Sequence, residues 1–202
     1  MIESIAAVFT AFGLSTSAGL NAYLPLLIVA LTAKYTDLIT LQAPFDVLTS
    51  PWVIAVLVVL LIIEVFADKV PLVDHANDVI QTVIRPAAGA ILFAGTTNAV
   101  SDIHPVLAMA LGILSAGGVH ATKATVRPVI TATTGGLGNP VMSVAEDVVA
   151  FVVSVMSILV PILTFIAMAV SGVLLWRWWR RRKQRNALDA PAMTASGPPA
   201  TR

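Results

Sequence analysis

An all-α membrane protein, a bundle of about five transmembrane helices, is the fold class that three observations predict. Of the 202 residues, 57% are hydrophobic and only 11% charged, with a mean hydropathy of +0.90, well outside the usage of soluble domains. Uncharged runs long enough for a helix of about 20 apolar residues recur along the chain, at 5–33 and 148–176 most visibly. The charges, in contrast, are concentrated, chiefly in 64–85 and 177–185. The organisation expected is a transmembrane helical domain over 1–176 and, over 177–202, a basic juxtamembrane segment with a disordered tail. There is no cysteine, which excludes a disulfide framework, a thiol nucleophile and a Cys-based zinc site. MIESIAAVF carries Glu3 where a cleavable signal would carry Lys or Arg.

The run 5–33 would make a single helix of about 43 Å, against a hydrocarbon core of about 30 Å. Its middle, GLSTSAGLNAYLPL, is rich in small and hydroxyl residues. Gly13, Ser17 and Asn21 lie four apart on one helical face, where small side chains let another helix approach closely. Asn21 is then a polar group deep in the span that needs a partner, and Pro25 removes one backbone hydrogen bond. The stretch reads either as a kinked packing seam or as a broken helix whose freed backbone lines a pathway. The second span, 52–67, begins at Trp52, a residue suited to the interface.

Next comes the densest polar stretch, EVFADKVPLVDHANDVIQTVIRP. Glu64, Asp68, Lys69, Asp74, His75, Asp78 and Arg85 fall there, taking four of the eleven carboxylates. Charge inside or beside lipid is costly and points to function, the alternative being a wet connecting loop. Glu64 and Asp68 share a helical face, and like charges so close push one carboxyl toward its protonated form. Asp74, His75 and Asp78 supply hard oxygens and an imidazole, a donor set that suits a divalent metal. No organic cofactor is expected, and whether a metal binds is left open. Arg85-Pro86 is read as opening the third span, because proline suits a first helical turn.

In the fourth span Ala108, Gly112, Ala116 and His120 repeat every four residues, a smooth stripe that aims an imidazole at the protein interior. Lys123 and Arg127 follow, and VRP at 126–128 echoes IRP at 84–86. The Thr- and Gly-rich ITATTGGLGNP suits a re-entrant or broken segment around 124–138, which survives at membrane depth only if protein or water satisfies its backbone. GGLG is no nucleotide loop, since it lacks the GK[ST] ending. Glu146 and Asp147 are read as suiting the early turns of the last helix, where carboxylates complement the dipole. The run 148–176, with Pro161 inside, is read as one long span. RWWRRRKQR then supplies six basic residues, fitting cytoplasmic anionic lipid head groups rather than nucleic acid. From Asn186 the composition is that of an unfolded tail.

Folding five spans back and forth brings Glu64, Asp68, Asp74, His75, Asp78, Arg85, His120, Lys123, Arg127, Glu146 and Asp147 toward one hydrated mouth, with Asn21 a further candidate. Several segments, SAGLNAYLPLL, DKVPLVDHANDVIQT with IRP, HATKA with VRP, and GGLGNP with AED, resemble those of a family of small integral membrane proteins of unknown function from bacteria, with relatives in plants. The resemblance spans about residues 5–176 and implies a membrane location, with no activity attached.

The residues lead first to a small transporter or channel in the bacterial inner membrane, with the charged mouth holding a small solute or ion. A membrane-embedded enzyme acting on a lipid or polyprenyl phosphate is the alternative, with Asp74, His75 and Asp78 as metal or acid/base groups and Arg85 or Arg127 as anion clamps. A structural or assembly subunit is the third reading. The expected partners are the bilayer, anionic head groups and that solute; a homo-oligomer is compatible with all three readings. Lys and Arg concentrated after the last span place the C-terminus in the cytoplasm.

Overall fold

The structure is a computed structural model that describes residues 2–67, 71–98 and 103–194, the side chains of 2, 71–78, 179 and 182–194 excepted. Seven α-helices and one 3-10 turn follow in order: α1 Ile2–Ala18, α2 Tyr23–Tyr35, the turn Phe45–Thr49, α3 Pro51–Ala67, α4 Pro71–Asn98, α5 Pro105–Thr134, α6 Asn139–Leu159 and α7 Pro161–Thr194. There is no strand among the described residues. Four segments, Val79–Asn98, Pro105–Thr134, Asn139–Leu159 and Pro161–Trp178, are long and apolar enough to cross a membrane; α2 and α3 are shorter apolar helices. The chain is an all-α membrane protein. It forms two compact units, Met1–Phe165 and Ile166–Arg202.

Helix α6 is turned inside out relative to a helix of a soluble bundle. On α6 the buried positions are Asn139, Ser143, Glu146, Ala150, Ser154 and Ser157, whereas Val141, Val148 and Phe151 are exposed. Apolar side chains facing outward with polar and small ones inward is what a lipid solvent selects.

The long first run does not span as one helix. It breaks at Gly19–Ala22, and α2 returns to the side from which α1 began. Along α1, Thr10 Oγ1 donates to Ser157 O at 2.9 Å, the Ser17 and Ser154 hydroxyls pair at 2.8 Å, and beyond the helix end Asn21 Nδ2 donates to Asp147 Oδ1 at 2.9 Å. These contacts run antiparallel along α6 and confirm the expected seam of Gly13, Ser17 and Asn21. On the way back, Lys34 Nζ donates to Thr49 O at 3.0 Å. Glu3, Asp37 and Thr96 line one cavity of about 470 Å³, which brings both open ends of the hairpin together. At 1.5 Å per residue α1 and α2 reach about 25 and 20 Å, short of a bilayer core. The pair is a hairpin of two short helices.

The helix therefore breaks in the first run, while over 124–138 α5 continues as helix to Thr134. The irregular part there narrows to a turn opened by Gly135 (φ 62°) and Gly136 (φ 87°), left-handed values that favour glycine. Two further expectations change. Pro86 lies inside α4 rather than at a helix start, and Pro128 likewise lies inside α5. Membrane bundles tolerate this because neighbouring polar groups take up the backbone carbonyls that proline leaves open. The last apolar run is two helices, because Pro161 cannot donate to the Ser157 carbonyl and its ring would strike it; the chain leaves helical geometry at Val160 (φ −140°, ψ 66°). The Ser157 carbonyl takes the Thr10 hydroxyl instead. Helix α7 runs on to Thr194, past Asn186, where composition alone leads to an unfolded tail.

Glycines set the closest approach, between α4 and α5. A Cβ on Gly89 would stand 2.6 Å from the Gly112 carbonyl oxygen, and one on Gly112 would strike the Gly89 backbone. Ser15 Oγ ties the third helix in by donating to Gly89 O at 2.9 Å. We expect Gly112→Leu to separate α4 from α5 and cut the yield of monodisperse, folded protein several-fold, since overpacking with no room to shift costs at least about 1–3 kcal/mol. Val152→Leu, on the exposed face of α6, is expected to leave yield unchanged in the same size-exclusion assay.

Candidate functional site: buried charges at the hairpin tip

Helical spacing extends the small-residue stripe of α5 into a charged one. Ala108, Gly112, Ala116, His120, Lys123 and Arg127 are all buried on one face. Near its middle the stripe meets the hairpin tip, where a Cβ on Gly19 would stand 2.6 Å from Val119 Cβ. The tip can approach so closely because Gly19 has no side chain.

Two polar groups form around this contact. The first joins the tip to α5 and α6. Lys123 Nζ lies 2.7 Å from Glu146 Oε2, and Arg127 Nη2 lies 3.4 Å from the same oxygen. Lys123 also donates to the Leu20 carbonyl, at 3.4 Å, in the break between α1 and α2. Next to it, Asn21 donates to half-buried Asp147 and accepts from the Leu24 amide at 2.9 Å, so one side chain caps α2 and anchors it to α6. Farther along, Thr131 Oγ1 donates to the Arg127 carbonyl and accepts from Asn139 Nδ2, both at 3.0 Å, which ties the end of α5 to the start of α6.

The second group joins α3, α4 and α5. Arg85 Nη2 donates to Glu64 Oε1 at 3.1 Å, with side-chain exposures of 0% and 1%. Arg85 Nη1 lies 3.1 Å from His120 Nδ1, and His120 Nε2 lies 3.1 Å from Thr82 Oγ1. A guanidinium only donates, so Nδ1 is the acceptor and the imidazole is neutral, with its hydrogen on Nε2. Four residues before Arg85, Gln81 is also buried and hydrogen-bonds Tyr23 at the start of α2. Both groups are therefore anchored to the hairpin, one at its turn and one at the first residue of its returning helix.

Of the twelve residues singled out from the sequence, eight are brought together in these groups: Asn21, Glu64, Arg85, His120, Lys123, Arg127, Glu146 and Asp147. Asp68 lies outside the described residues. Asp74, His75 and Asp78 lie on the described backbone of α4, with side chains outside the description. Among the described residues no group of three or more His, Asp or Glu could hold a metal ion. Glu146 and Asp147 lie two turns into α6 rather than at its dipole end, and face the cations of α5 and the hairpin tip. The expected hydrated mouth is, at Lys123, Arg127 and Glu146, a buried site with exposures of 5–6%. Gln81, Thr82 and Tyr23 were not singled out. The 81–85 spacing on α4 was the available signal for Gln81, and nothing local marks Tyr23.

A family model described as a domain of unknown function (DUF4126) matches residues 8–181. The chain belongs to that family. The matched DUF4126 region takes in the hairpin and both polar groups, and ends within the basic stretch after Trp176. No curated protein and no solved structure matches the chain.

Because Glu146 faces two buried cations, removing it leaves both without that carboxylate, whereas removing Lys123 leaves the Arg127–Glu146 pair. Breaking a buried pair costs about 3–5 kcal/mol. Glu146→Ala is accordingly expected to lower the thermal unfolding midpoint in detergent more than Lys123→Met does. Equal midpoints for the two variants would show that Arg127 gains nothing from Glu146.

Proposed function

We propose that this protein is a small multi-pass transporter of the bacterial inner membrane that binds an ionised small solute at the tip of the α1–α2 hairpin. The observation that carries the reading is the ending of one short helix and the start of the next inside a buried set of charges. Non-helical backbone at membrane depth persists where protein or a water-filled cavity satisfies it, and broken helices of this kind form the binding sites of many transporters. Buried ionisable side chains facing the interior of a membrane bundle are costly and mark substrate or ion paths. Here Lys123, Arg127 and the Asn21 amide offer donors, Glu146, Asp147 and the Leu20 carbonyl offer acceptors, and all of them surround one break. A solute bearing a charge of either sign can exchange with one member of this set while the others stay paired. Relative sliding of the hairpin along the α1–α6 serine seam supplies a route for opening it. The basic segment after Trp176 lies on the cytoplasmic side and meets anionic head groups.

The test is uptake into liposomes containing the purified protein, with a panel of radiolabelled carboxylated, phosphorylated and amino solutes under imposed pH and potential gradients. At least one charged solute is expected to accumulate well above protein-free liposomes. Asp147→Asn and Lys123→Met are expected to lower that uptake by more than tenfold per folded molecule. Absence of flux for every class, together with no thermal shift by any solute, would remove the transporter reading. A reporter fused after Arg185 is expected to read cytoplasmic, and a periplasmic signal would reverse the orientation.

A further inference from the structure

His120 has one nitrogen that can take up a proton, and Arg85 occupies it. With the hydrogen on Nε2 directed at Thr82 Oγ1, an incoming proton must go to Nδ1, which accepts from Arg85 Nη1. Imidazolium and guanidinium are both donors without an acceptor, so their hydrogen bond cannot survive protonation. Arg85 must then move or lose a partner.

A second resting place for Arg85 is present in the fold. Gln81 lies one turn earlier on the same face of α4, 1% exposed, and its Oε1 has no hydrogen-bond partner among the described residues. Its amide nitrogen is the atom left to serve the Tyr23 hydroxyl. Arg85, at 0% exposure, has an Nε–H with no partner among the described residues. A buried acceptor and a buried donor thus stand unmatched on adjacent turns of one helix, although buried polar groups are nearly always paired. Turning the guanidinium toward Gln81 would match them. Glu64, on α3, can hold Arg85 in either position.

We infer that His120 is a proton-binding site whose occupancy moves the Arg85 guanidinium from His120 to Gln81. The step forms an N–H bond at Nδ1 with a proton from water and changes no oxidation state. Among the described side chains, the charged and titratable groups facing this site are Arg85 on α4, Glu64 on α3, Tyr23 on α2 beyond Gln81, and Lys123 on α5 itself; the side chains of Asp74, His75 and Asp78, earlier on α4, lie outside the description. Lys123 is in turn held by Glu146 on α6, where Asp147 is adjacent; the half of α1 that reaches this level, residues 10–18, has no titratable side chain. Because Gln81 also holds Tyr23, the shift reaches the first residue of α2 and so the hairpin. This names the proton as the coupling ion of the transporter proposed above, and rests on that reading for its role though not for its chemistry.

The experiment is nitrogen NMR of the full chain in lipid nanodiscs, labelled at His and Arg, from pH 8 to pH 5. The His120 and Arg85 signals are assigned by their loss in His120→Gln and Arg85→Lys. We expect Nδ1 of His120 to change from acceptor to protonated nitrogen, and the Arg85 Nε–H signal to shift with the same midpoint. Gln81→Met, close in volume but without the acceptor, is expected to move that midpoint down by about one pH unit, a roughly tenfold loss of proton affinity. A His120 that keeps its tautomer down to pH 5, or titrates while Arg85 stays still, overturns the proposal. So does an unchanged midpoint in Gln81→Met or, where that variant does not fold, in Gln81→Ala. No transported solute is needed, so a negative result here leaves the uptake test standing, and a failed uptake test leaves this site standing.

Discussion

A helix cannot stop or start inside a bilayer unless something accepts from its first amides and donates to its last carbonyls. Much of this fold follows from meeting that constraint at one place, the break between Ala18 and Tyr23. Asn21 caps the returning helix through the Leu24 amide and reaches Asp147, while Lys123 takes the Leu20 carbonyl. Those partners are charged, and charges in lipid need partners in turn. Glu146 answers Lys123, and Arg127 answers Glu146. One broken helix thus recruits a polar set from two others, and apolar packing alone could not hold the break.

Close packing is the second condition. Short polar side chains such as Asn21 can bridge helices only where backbones come unusually near one another. Gly13, Gly19, Gly89 and Gly112 supply that nearness, each with no room for a Cβ. The hydroxyls of Ser15, Ser17, Thr10 and Ser154 then close the remaining gaps by bonding backbone carbonyls or one another. In lipid, where burial of apolar surface gives little drive for helix association, such contacts and dispersion between close backbones hold the bundle.

These facts explain which features were legible in the sequence. Membrane class, the Gly13–Ser17–Asn21 seam and the α5 stripe depend on composition and on a spacing of four, both of which a single chain displays. The meeting of Arg85 with Glu64 and His120, and of Glu146 with the α5 cations, followed from charge segregation and alternating crossings. A broken helix in the first run was one of two readings its small and polar residues allowed, whereas ITATTGGLG, with the more breaker-like composition, stays helical to Thr134, its Thr hydroxyls bonding carbonyls one turn back. What bends the first run is Gly19 fitting against Ala116 and Val119, a tertiary contact with no local signature. Arg85-Pro86 looked like a helix start for the same reason: proline marks a missing hydrogen bond, and only the neighbours show whether the helix tolerates it.

The two Arg-Pro pairs show how one local pattern serves different ends. Each arginine is buried inside a proline-containing helix and faces a glutamate from a neighbouring helix, Arg85 with Glu64 and Arg127 with Glu146. Around Arg127 a second cation, Lys123, shares the carboxylate, and that pairing is tied to the hairpin's backbone. In that set Glu146 faces both cations, so displacing it would take its carboxylate from two partners at once. Around Arg85 the third member is a neutral imidazole, with an acceptor unmatched among the described residues one turn away. The difference between the two groups arises because His120 and Lys123, three residues apart on α5, face different neighbours.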